Sequence, residues 1–327
     1  MSTSTQTTLT GTPPEADWNN APGLIEGATR LNLTAHDCHL DYWLRAAPQG
    51  TLAGLVNGHS PQARVPDYML EPDNPLRAAI MNEFAFRSIA EEKATRAISY
   101  MVASAPDVDT MEFFGTQLID EARHSRVFRA HLLELGVPED QLFATIEEIS
   151  GEDARRILVP LEEFALPLVR DQQDFIAGVV ILTILVEGVL APAAELSHRK
   201  WLKLDPAAAE IERGANIDEI RHLTVGSAVV REHLEQHPED RERIRDIITR
   251  GRQMWAHLPT TDVIFKRELY FQQGLEQHAD VVGDYEIWPG RRLIDTTPEE
   301  RLVAANTWSA EMQNSRLDYM GLSEEAL

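Results

Sequence analysis

A five-residue pattern, Asp-Glu-x-Arg-His, occurs twice in the chain, at 120–124 and at 218–222, and only its middle residue differs between the copies. With ordinary residue frequencies the pattern starts at about a few positions in a million, so two accidental copies are excluded. On an α-helix, a Glu and a His three residues apart lie on the same face and reach one point beside the helix. Each copy therefore predicts half of a metal site.

Metal binding explains these residues better than salt bridges do. The first copy lies on an otherwise apolar helical face, between Phe114 and Leu118 on one side and Phe128 on the other. A buried carboxylate without a partner is costly, and a salt bridge does not need the same pattern twice. The sequence thus predicts four metal ligands: Glu121, His124, Glu219 and His222.

Two more carboxylates are expected, because a di-metal site between four helices takes one Glu from each helix that lacks the Glu-x-x-His pair. Glu187 is the candidate on the third helix, where it is the only charged residue of an apolar segment. On the first helix, Glu83 fits the spacing of the two motifs worst. Helical phase with Phe84 favours Glu91, and Glu92 remains the alternative.

Helices must position these residues. Asn74, Asp205 and Thr297 each precede a Pro, the arrangement of an N-cap followed by the first helical residue. Apolar periodicity predicts long helices at 75–103, 110–135, 167–202 and 206–235, further helices at 34–44, 240–257 and 298–320, and a loop at 283–297. Strand patterns are scarce, so the expected fold is all-α.

The chain has 30 Lys and Arg against 53 Asp and Glu, a formal net charge of −23. This balance argues against nucleic acid or anionic lipid as a partner, since both are bound through Lys and Arg. The one cysteine, Cys38, cannot form an internal disulfide or a thiolate metal cluster, which fits a reducing cytoplasm. We therefore expect a cytoplasmic protein whose metal ligands are nitrogen and oxygen atoms.

The segment 175–194 is nearly apolar over 20 residues, which is the length of a membrane span. Glu187 lies inside it, and a carboxylate at bilayer depth is costly. We therefore expect a buried central helix and no membrane partner. The predicted organisation is a flexible tail over 1–20 and a single domain over 21–327, with the di-metal core over 75–235 and flanking helices over 238–327.

Together with Glu91 and Glu187, the two motif copies resemble the ferritin-like di-iron carboxylate oxygenases, notably bacterial multicomponent monooxygenase hydroxylases and the amine N-oxygenases of natural-product pathways. The resemblance covers about 75–235, half of the chain. It implies a ferritin-like four-helix bundle with additional flanking helices. It also implies two iron ions, bridged by two carboxylates and each bound by one His, that activate O2 as co-substrate. The ligand types suit manganese as well.

The resemblance gives the Asp and Arg of each motif supporting roles, and helical geometry agrees. Each Asp points about 100° around the helix from its Glu, so it cannot bind the same metal ion but can accept a proton from the imidazole on the other motif helix. Each Arg lies three residues further on and holds the Asp ionised. The expected pairs are Asp218 with His124 and Asp120 with His222, supported by Arg123 and Arg221.

Two positions depart from particular members of the family. Phe128 stands where the radical-generating ribonucleotide reductase subunit has Tyr, which excludes a tyrosyl radical at that place. Ala215 stands where the p-aminobenzoate N-oxygenase has an extra His ligand, so the substrate of that enzyme is not implied.

The resemblance implies an O2-dependent monooxygenase acting on a small molecule in a biosynthetic pathway. Nitrogen oxygenation of an amine, hydroxylamine or hydrazine to a nitro, nitroso or azoxy product is favoured, and C–H hydroxylation or desaturation is the alternative. Metal storage or a structural di-metal site is the alternative of another class.

The sequence has no Gly-rich dinucleotide motif and no cysteine cluster, so the electrons must come from a ferredoxin or flavin reductase unless the substrate supplies them. A monomer and a homodimer both remain open. Arg87 is expected to pair with Glu83 rather than with a substrate carboxylate. Five residues within a turn of the ligands are expected to line the substrate or O2 chamber, namely Ala94, Gln117, Thr183, Ile184 and Gly188.

Overall fold

The computed structural model describes residues 18–45 and 57–323. This part of the chain is all-α, as predicted, and contains eleven helices. The tail predicted for 1–20 lies outside the described residues as far as residue 17. The helices are α1 Leu24–Arg30, α2 Leu40–Arg45, α3 Pro75–Ser104, α4 Val108–Glu134, α5 142–171, α6 Phe175–Leu204, α7 Pro206–Gln236, α8 Arg241–Ala256, α9 Thr260–Gln277, α10 Ala279–Val282 and α11 Pro298–Tyr319.

Two of these helices contain π-helical turns. In α5 they are Glu147–Gly151 and Pro167–Asp171, and in α6 the π-helical segment is Ile181–Glu187. Short 3₁₀ turns occupy Asp67–Leu70, Glu139–Gln141, Pro238–Asp240 and Leu293–Asp295.

The predicted caps are confirmed. The side chain of Asn74 accepts a hydrogen bond from the backbone N–H of Leu76 at the start of α3, and Asp205 accepts one from Ala208 at the start of α7. Thr297 and Glu300 form a capping box at the start of α11. Each cap satisfies helical N–H groups that have no partner inside the helix.

The predicted start of the third helix, 167–202, is wrong. Pro167 lies inside α5, which was not predicted as a separate helix, and α6 begins only at Phe175 with Asp174 as its cap. The chain turns between them at Gln173, whose φ of 53° is left-handed. Pro167 was interpreted as the first residue of a helix, whereas here it starts a π-helical turn at the end of one.

Other predicted bounds also changed. The helix expected at 34–44 is the shorter α2, preceded by a turn. The expected loop 283–297 contains two antiparallel strands, β1 Glu286–Trp288 and β2 Arg291–Arg292. Helix α9 was missed because no side chain caps it and few of its residues are buried and apolar.

The four helices predicted to form the core pack in two pairs, α3 along α4 and α6 along α7, and α4 and α7 contact each other. Very short connections join the members of each pair, residues 105–107 and the single residue Asp205, so the paired helices run antiparallel. Helix α9 packs on α3, and α11 packs on α6.

Two apolar clusters fill this core. One contains Phe113, Phe114 and the first half of α6, and the other contains Phe84, Phe128 and Trp201. On α3, α4, α6 and α7 alike, the predicted ligands lie between the stretches that contribute to the two clusters. The polar layer is therefore enclosed by apolar side chains on both sides.

Among the described residues, α6 is the one helix long and apolar enough to cross a membrane by length and composition. Of its most apolar 18-residue window, 78% is buried inside the molecule. This burial is typical of the core helix of a soluble protein, as the sequence predicted.

Candidate metal centre

The structure brings the six favoured ligand candidates into one cluster from four helices: Glu91 on α3, Glu121 and His124 on α4, Glu187 on α6, and Glu219 and His222 on α7. Two overlapping groups have ligand atoms within 4.8 Å of one another and could each hold a metal ion: Glu91, Glu121 and His124 in one, and Glu121, Glu219 and His222 in the other. Glu187 Oε1 lies 3.8 Å from His222 Nδ1, so the sixth residue adjoins the second group.

Glu121 lies at the centre of this cluster. Its Oε2 is 3.0 Å from His124 Nδ1, and its Oε1 is 3.2 Å from His222 Nδ1. The i, i+3 spacing on α4 brings His124 to Glu121, and the packing of α7 against α4 brings His222. Both imidazoles thus present Nδ1 to the interior of the cluster.

The outer nitrogen of each imidazole meets an aspartate of the other motif. His124 Nε2 is 3.2 Å from Asp218 Oδ2, and His222 Nε2 is 3.3 Å from Asp120 Oδ2. An Nε2–H that donates to a carboxylate leaves the Nδ1 lone pair free for a metal ion, which is the usual arrangement around ligand histidines. These are the two pairs that the motif geometry predicted.

Both arginines lie between the two aspartates. Arg221 donates to Asp120 Oδ2 at 2.5 Å and to Asp218 Oδ1 at 3.1 Å. Arg123 donates to Asp218, and its Nη2 lies 3.8 Å from Asp120 Oδ1. Burial raises the pKa of Asp218, but Arg123 and the hydrogen bond from His124 outweigh it and hold this pKa well below its usual value. Asp218 is therefore ionised at neutral pH.

Sequence reasoning missed one partner of Asp120. The indole Nε1–H of Trp43, on α2, donates to both carboxylate oxygens of Asp120 at 3.1 Å. Trp43 is buried, and a buried indole normally finds an acceptor, but 77 residues separate the pair and no spacing rule connects them.

The carboxylates are crowded in a buried place. Burial, together with the nearby charge of Glu121, raises the pKa of Glu91 well above its usual value. Burial and the charge of Glu219 do the same to the pKa of Glu187. For Glu121, burial raises the pKa, but His222 and His124 outweigh it and lower the pKa well below its usual value.

The pKa values of both histidines are raised as well. Burial lowers the pKa of His124, but hydrogen bonds with Asp218 and Glu121 raise it to about 10. Burial also lowers the pKa of His222, and the charge of Glu121 and the bond to Asp120 raise it well above its usual value. Closely spaced buried carboxylates favour protonation of one another and of the histidines. Such a group is suited to bind metal cations in place of these protons.

Two buried carboxylate oxygens of the cluster have no hydrogen-bond partner among the described residues: Glu187 Oε2 and Glu219 Oε2. Buried polar atoms are nearly always satisfied in native proteins. A bound metal ion satisfies such oxygen atoms, so the residues present fit a metal centre.

The two glutamates of α3 that remained alternative ligands in the sequence analysis lie in different surroundings. Glu91 belongs to the cluster, whereas Glu92 is about half exposed and pairs with Arg96 at 2.6 Å. The packed helices thus orient Glu91, and not Glu92, towards the other candidates.

A cavity of about 130 Å³ adjoins the cluster and is lined by Glu91, Glu121, Glu187 and Glu219. Of the five residues expected to line the substrate or O2 chamber, Ala94 lines this cavity, and Gln117, Thr183, Ile184 and Gly188 are not among its lining residues. On α6, the cavity is lined by Glu187 and Lys200 and by apolar residues that include Leu182, Val186 and Leu190. The π-helical segment Ile181–Glu187 widens the turn, which changes the direction of Thr183 and Ile184 relative to regular helical spacing.

The four expected chamber residues that do not line the cavity contact other parts of the molecule. Gln117 donates to Glu187 Oε1 at 2.5 Å, and Thr183 packs against α7 at Gly226. Ile184 belongs to the apolar cluster that contains Phe113, and the carbonyl of Gly188 accepts hydrogen bonds from α11.

A scan against models of known protein families and a search of curated proteins found no match for this chain. The functional assignment therefore depends on the site.

Proposed function

We propose that this protein is a non-heme di-iron oxygenase of the ferritin-like type, in which α3, α4, α6 and α7 form the four-helix bundle. One observation carries the proposal: four carboxylates and two imidazole Nδ1 atoms from these four helices converge in the buried core. Glu121 belongs to both possible metal groups, which supports a pair of metal ions rather than a single one. A bundle that contributes a Glu-x-x-His pair from two helices and a Glu from each of the others is the pattern of this class.

The donor set favours iron, with manganese as the alternative. Oxygen and imidazole ligands suit both metals, and no thiolate lies among them. Two bound irons would supply the electrons that activate O2 for a two-electron oxidation. The residues that would hold them are Glu91, Glu121, His124, Glu187, Glu219 and His222.

Neighbouring residues would hold the ligand side chains in the orientation and protonation state that metal binding requires. Asp218 and Asp120 accept the Nε2 protons of the two imidazoles, so that Nδ1 remains available. Gln117 fixes one oxygen of Glu187. Apolar clusters pack on both sides of the candidate ligands.

The cavity beside the ligands favours an enzyme over metal storage or a structural site, because neither of these needs space next to buried metal ligands. The proposed substrate is a small molecule. Nitrogen oxygenation in a biosynthetic pathway is the favoured reaction, and C–H hydroxylation or desaturation is the alternative. A ferredoxin or flavin reductase would supply the electrons unless the substrate does so.

Adjacent glutamates on α3 allow a matched test of the metal site. We expect about two irons per chain in the wild type and in Glu92→Gln, because Glu92 faces Arg96. In Glu91→Gln a ligand carboxylate is lost, and we expect iron content to fall by half or more. Iron is measured on purified protein loaded anaerobically with Fe(II). Equal iron in all three proteins would contradict the assignment of Glu91, and no bound metal pair in the wild type would contradict the proposal.

Reaction with O2 separates an oxygenase from the other classes. The reduced, iron-loaded protein is mixed with O2, and O2 uptake and product formation are followed with amines, hydroxylamines, hydrazines and alkyl compounds. We expect substrate-dependent O2 uptake that Glu219→Ala abolishes. A bound metal pair without O2-dependent turnover would support storage or a structural site instead.

A further inference from the structure

The cavity that adjoins the candidate ligands is also lined by three cations: Arg87, Lys200 and Arg267. Arg87 lies one helical turn before Glu91 on α3, Lys200 lies near the end of α6, and Arg267 lies on α9. The same cavity thus has carboxylates of the proposed metal centre in one part of its wall and fixed positive charge in another.

Two of these cations are neutralised by the protein itself. Arg87 pairs with Glu83 at 3.4 Å, as the sequence predicted, and with Glu212 at 3.3 Å. Lys200 pairs with Glu268 at 2.5 Å. Neither side chain needs a ligand to satisfy its charge.

Arg267 is different, because it has no hydrogen bond or ion pair with any described residue. Its guanidinium stacks over the ring of Phe86, 4.6 Å from the ring centroid. Burial lowers the pKa of Arg267 to about 10, so the side chain is still charged at neutral pH. A partly buried cation that lines a cavity without a counterion is costly, and an anion in the cavity would remove this cost.

The carboxylates whose charges act on Arg267 are already paired with other cations. They are Glu83, Asp153 and Glu268. Glu83 pairs with Arg87, Glu268 with Lys200 and Arg301, and Asp153 with Arg156 and Lys266. Arg267 is therefore the cation of this wall that has no ion pair among the described residues. A single carboxylate neutralises it, and the planar fork of a guanidinium matches a carboxylate in two hydrogen bonds.

We propose that Arg267 binds the carboxylate of the substrate and thereby presents the other end of that molecule to the metal centre. The inference rests on the proposed function, since the metal ions would neutralise the ligand carboxylates in the same cavity. Phe86, on which Arg267 stacks, precedes Glu91 by five residues, about 7.5 Å along the axis of α3. Arg267 and the candidate ligands thus lie at different levels of one cavity, and the chain length that fits between them is found with a series of aliphatic carboxylates.

The test compares carboxylates with amides of the same shape. Butanoate, hexanoate and octanoate, and the corresponding amides, are titrated by calorimetry into protein loaded anaerobically with Fe(II). In the wild type we expect at least one carboxylate to bind more tightly than its amide. We expect Arg267→Gln to weaken that carboxylate about 10- to 100-fold and to leave the amide unchanged. Arg267→Lys should recover part of the loss, because it keeps the charge but not the fork.

Lys266→Gln is the matched control, since Lys266 is the neighbouring residue on α9 and its side chain is half exposed. This variant removes one positive charge outside the cavity and should bind like the wild type. Melting temperature adds a second readout. A residue that only supports the fold would lower it when replaced, whereas removal of an uncompensated charge leaves it unchanged or raises it.

No carboxylate preference across the series, or a preference that Arg267→Gln leaves intact, would overturn the inference. The second result would mean that the metal ions themselves hold the carboxylate. Iron content is measured on the same samples, and the titrations are repeated on metal-free protein. Absence of bound iron contradicts the proposed function alone, and binding that does not depend on Arg267 contradicts this inference alone.

Discussion

The two motifs contact each other across the helices as well as within each copy. His124 reaches across to Asp218, His222 reaches across to Asp120, and Arg221 bonds to both aspartates. The repeated pattern therefore acts as a reciprocal pair, in which neither half is complete without the other helix. A change at one supporting residue should affect the metal ligand that it holds.

The substitution Trp43→Phe tests whether a supporting residue outside the two motifs affects metal binding. The change removes the N–H that bonds to Asp120 and keeps an aromatic ring in the buried site. We expect metal affinity to fall about 10-fold, because Asp120 orients His222. The measurement is competition with a chelator for Fe(II). Trp308→Phe, on α11 and packed against Trp288, is the control and should leave affinity unchanged. An unchanged affinity in Trp43→Phe would show that Arg221 holds Asp120 alone.

At the scale of elements, α6 and α7 approach closely beside the cluster. The π-helical segment Ile181–Glu187 ends at a candidate ligand, and its Thr183 packs directly on Gly226 of α7. A Cβ on Gly226 would lie 2.1 Å from Thr183 Oγ1, a distance that no packed structure tolerates. The absence of a side chain at Gly226 is therefore what permits this helix pair to pack.

A double-mutant cycle tests the contact. Gly226→Ala should lower the free energy of unfolding by about 1–3 kcal/mol through overpacking, measured by urea denaturation. Thr183→Ala in the same chain removes the clashing oxygen and should recover most of the loss. Gly115→Ala, on α4 with open space around it, is the control and should be neutral or stabilising. A loss that Thr183→Ala does not relieve would rule out this contact as its cause.

At the scale of the molecule, a second buried network joins distant parts of the chain. His131 on α4 lies 3.0 Å from Asp205, which also caps α7, and Glu134 lies 2.9 Å from His59. Burial lowers the pKa of His131, but Asp205 and Glu134 raise it to about 9. The folded protein therefore keeps a proton on His131 at pH values where the unfolded chain has lost it.

Stability should consequently fall with rising pH. An unfolded histidine loses its proton near pH 6.5, so the contribution of His131 is complete below that pH and disappears as the pH rises towards about 9. The shift corresponds to about 3 kcal/mol. Urea denaturation of metal-free wild type and His131→Gln at pH 6, 7.5 and 9 measures it. The difference between the two proteins should shrink across this range, and a constant difference would contradict the prediction.

Local sequence signals specify much of the helical framework. Caps such as Asn74 and Asp205, together with apolar periodicity, predicted α3, α4 and α7 closely, because these signals act within one or two turns of chain. The pairing of Glu and His at i, i+3 is equally local, so the motif halves could be predicted as metal ligands before any tertiary contact was known. Their role as ligands stays a prediction until metal is measured.

The packing of segments that are distant in sequence decided which side chains meet at the site. It placed Glu91 in the cluster and Glu92 beside Arg96, brought Trp43 to Asp120 and left Arg267 without a counterion in the cavity. Thr183 and Ile184 do not line the cavity, because a π-helical turn changes the phase of α6, and this turn depends on packing rather than on local propensity. Local hydrogen bonding thus decides where a helix begins and ends, and tertiary contacts decide which of its faces meets the site.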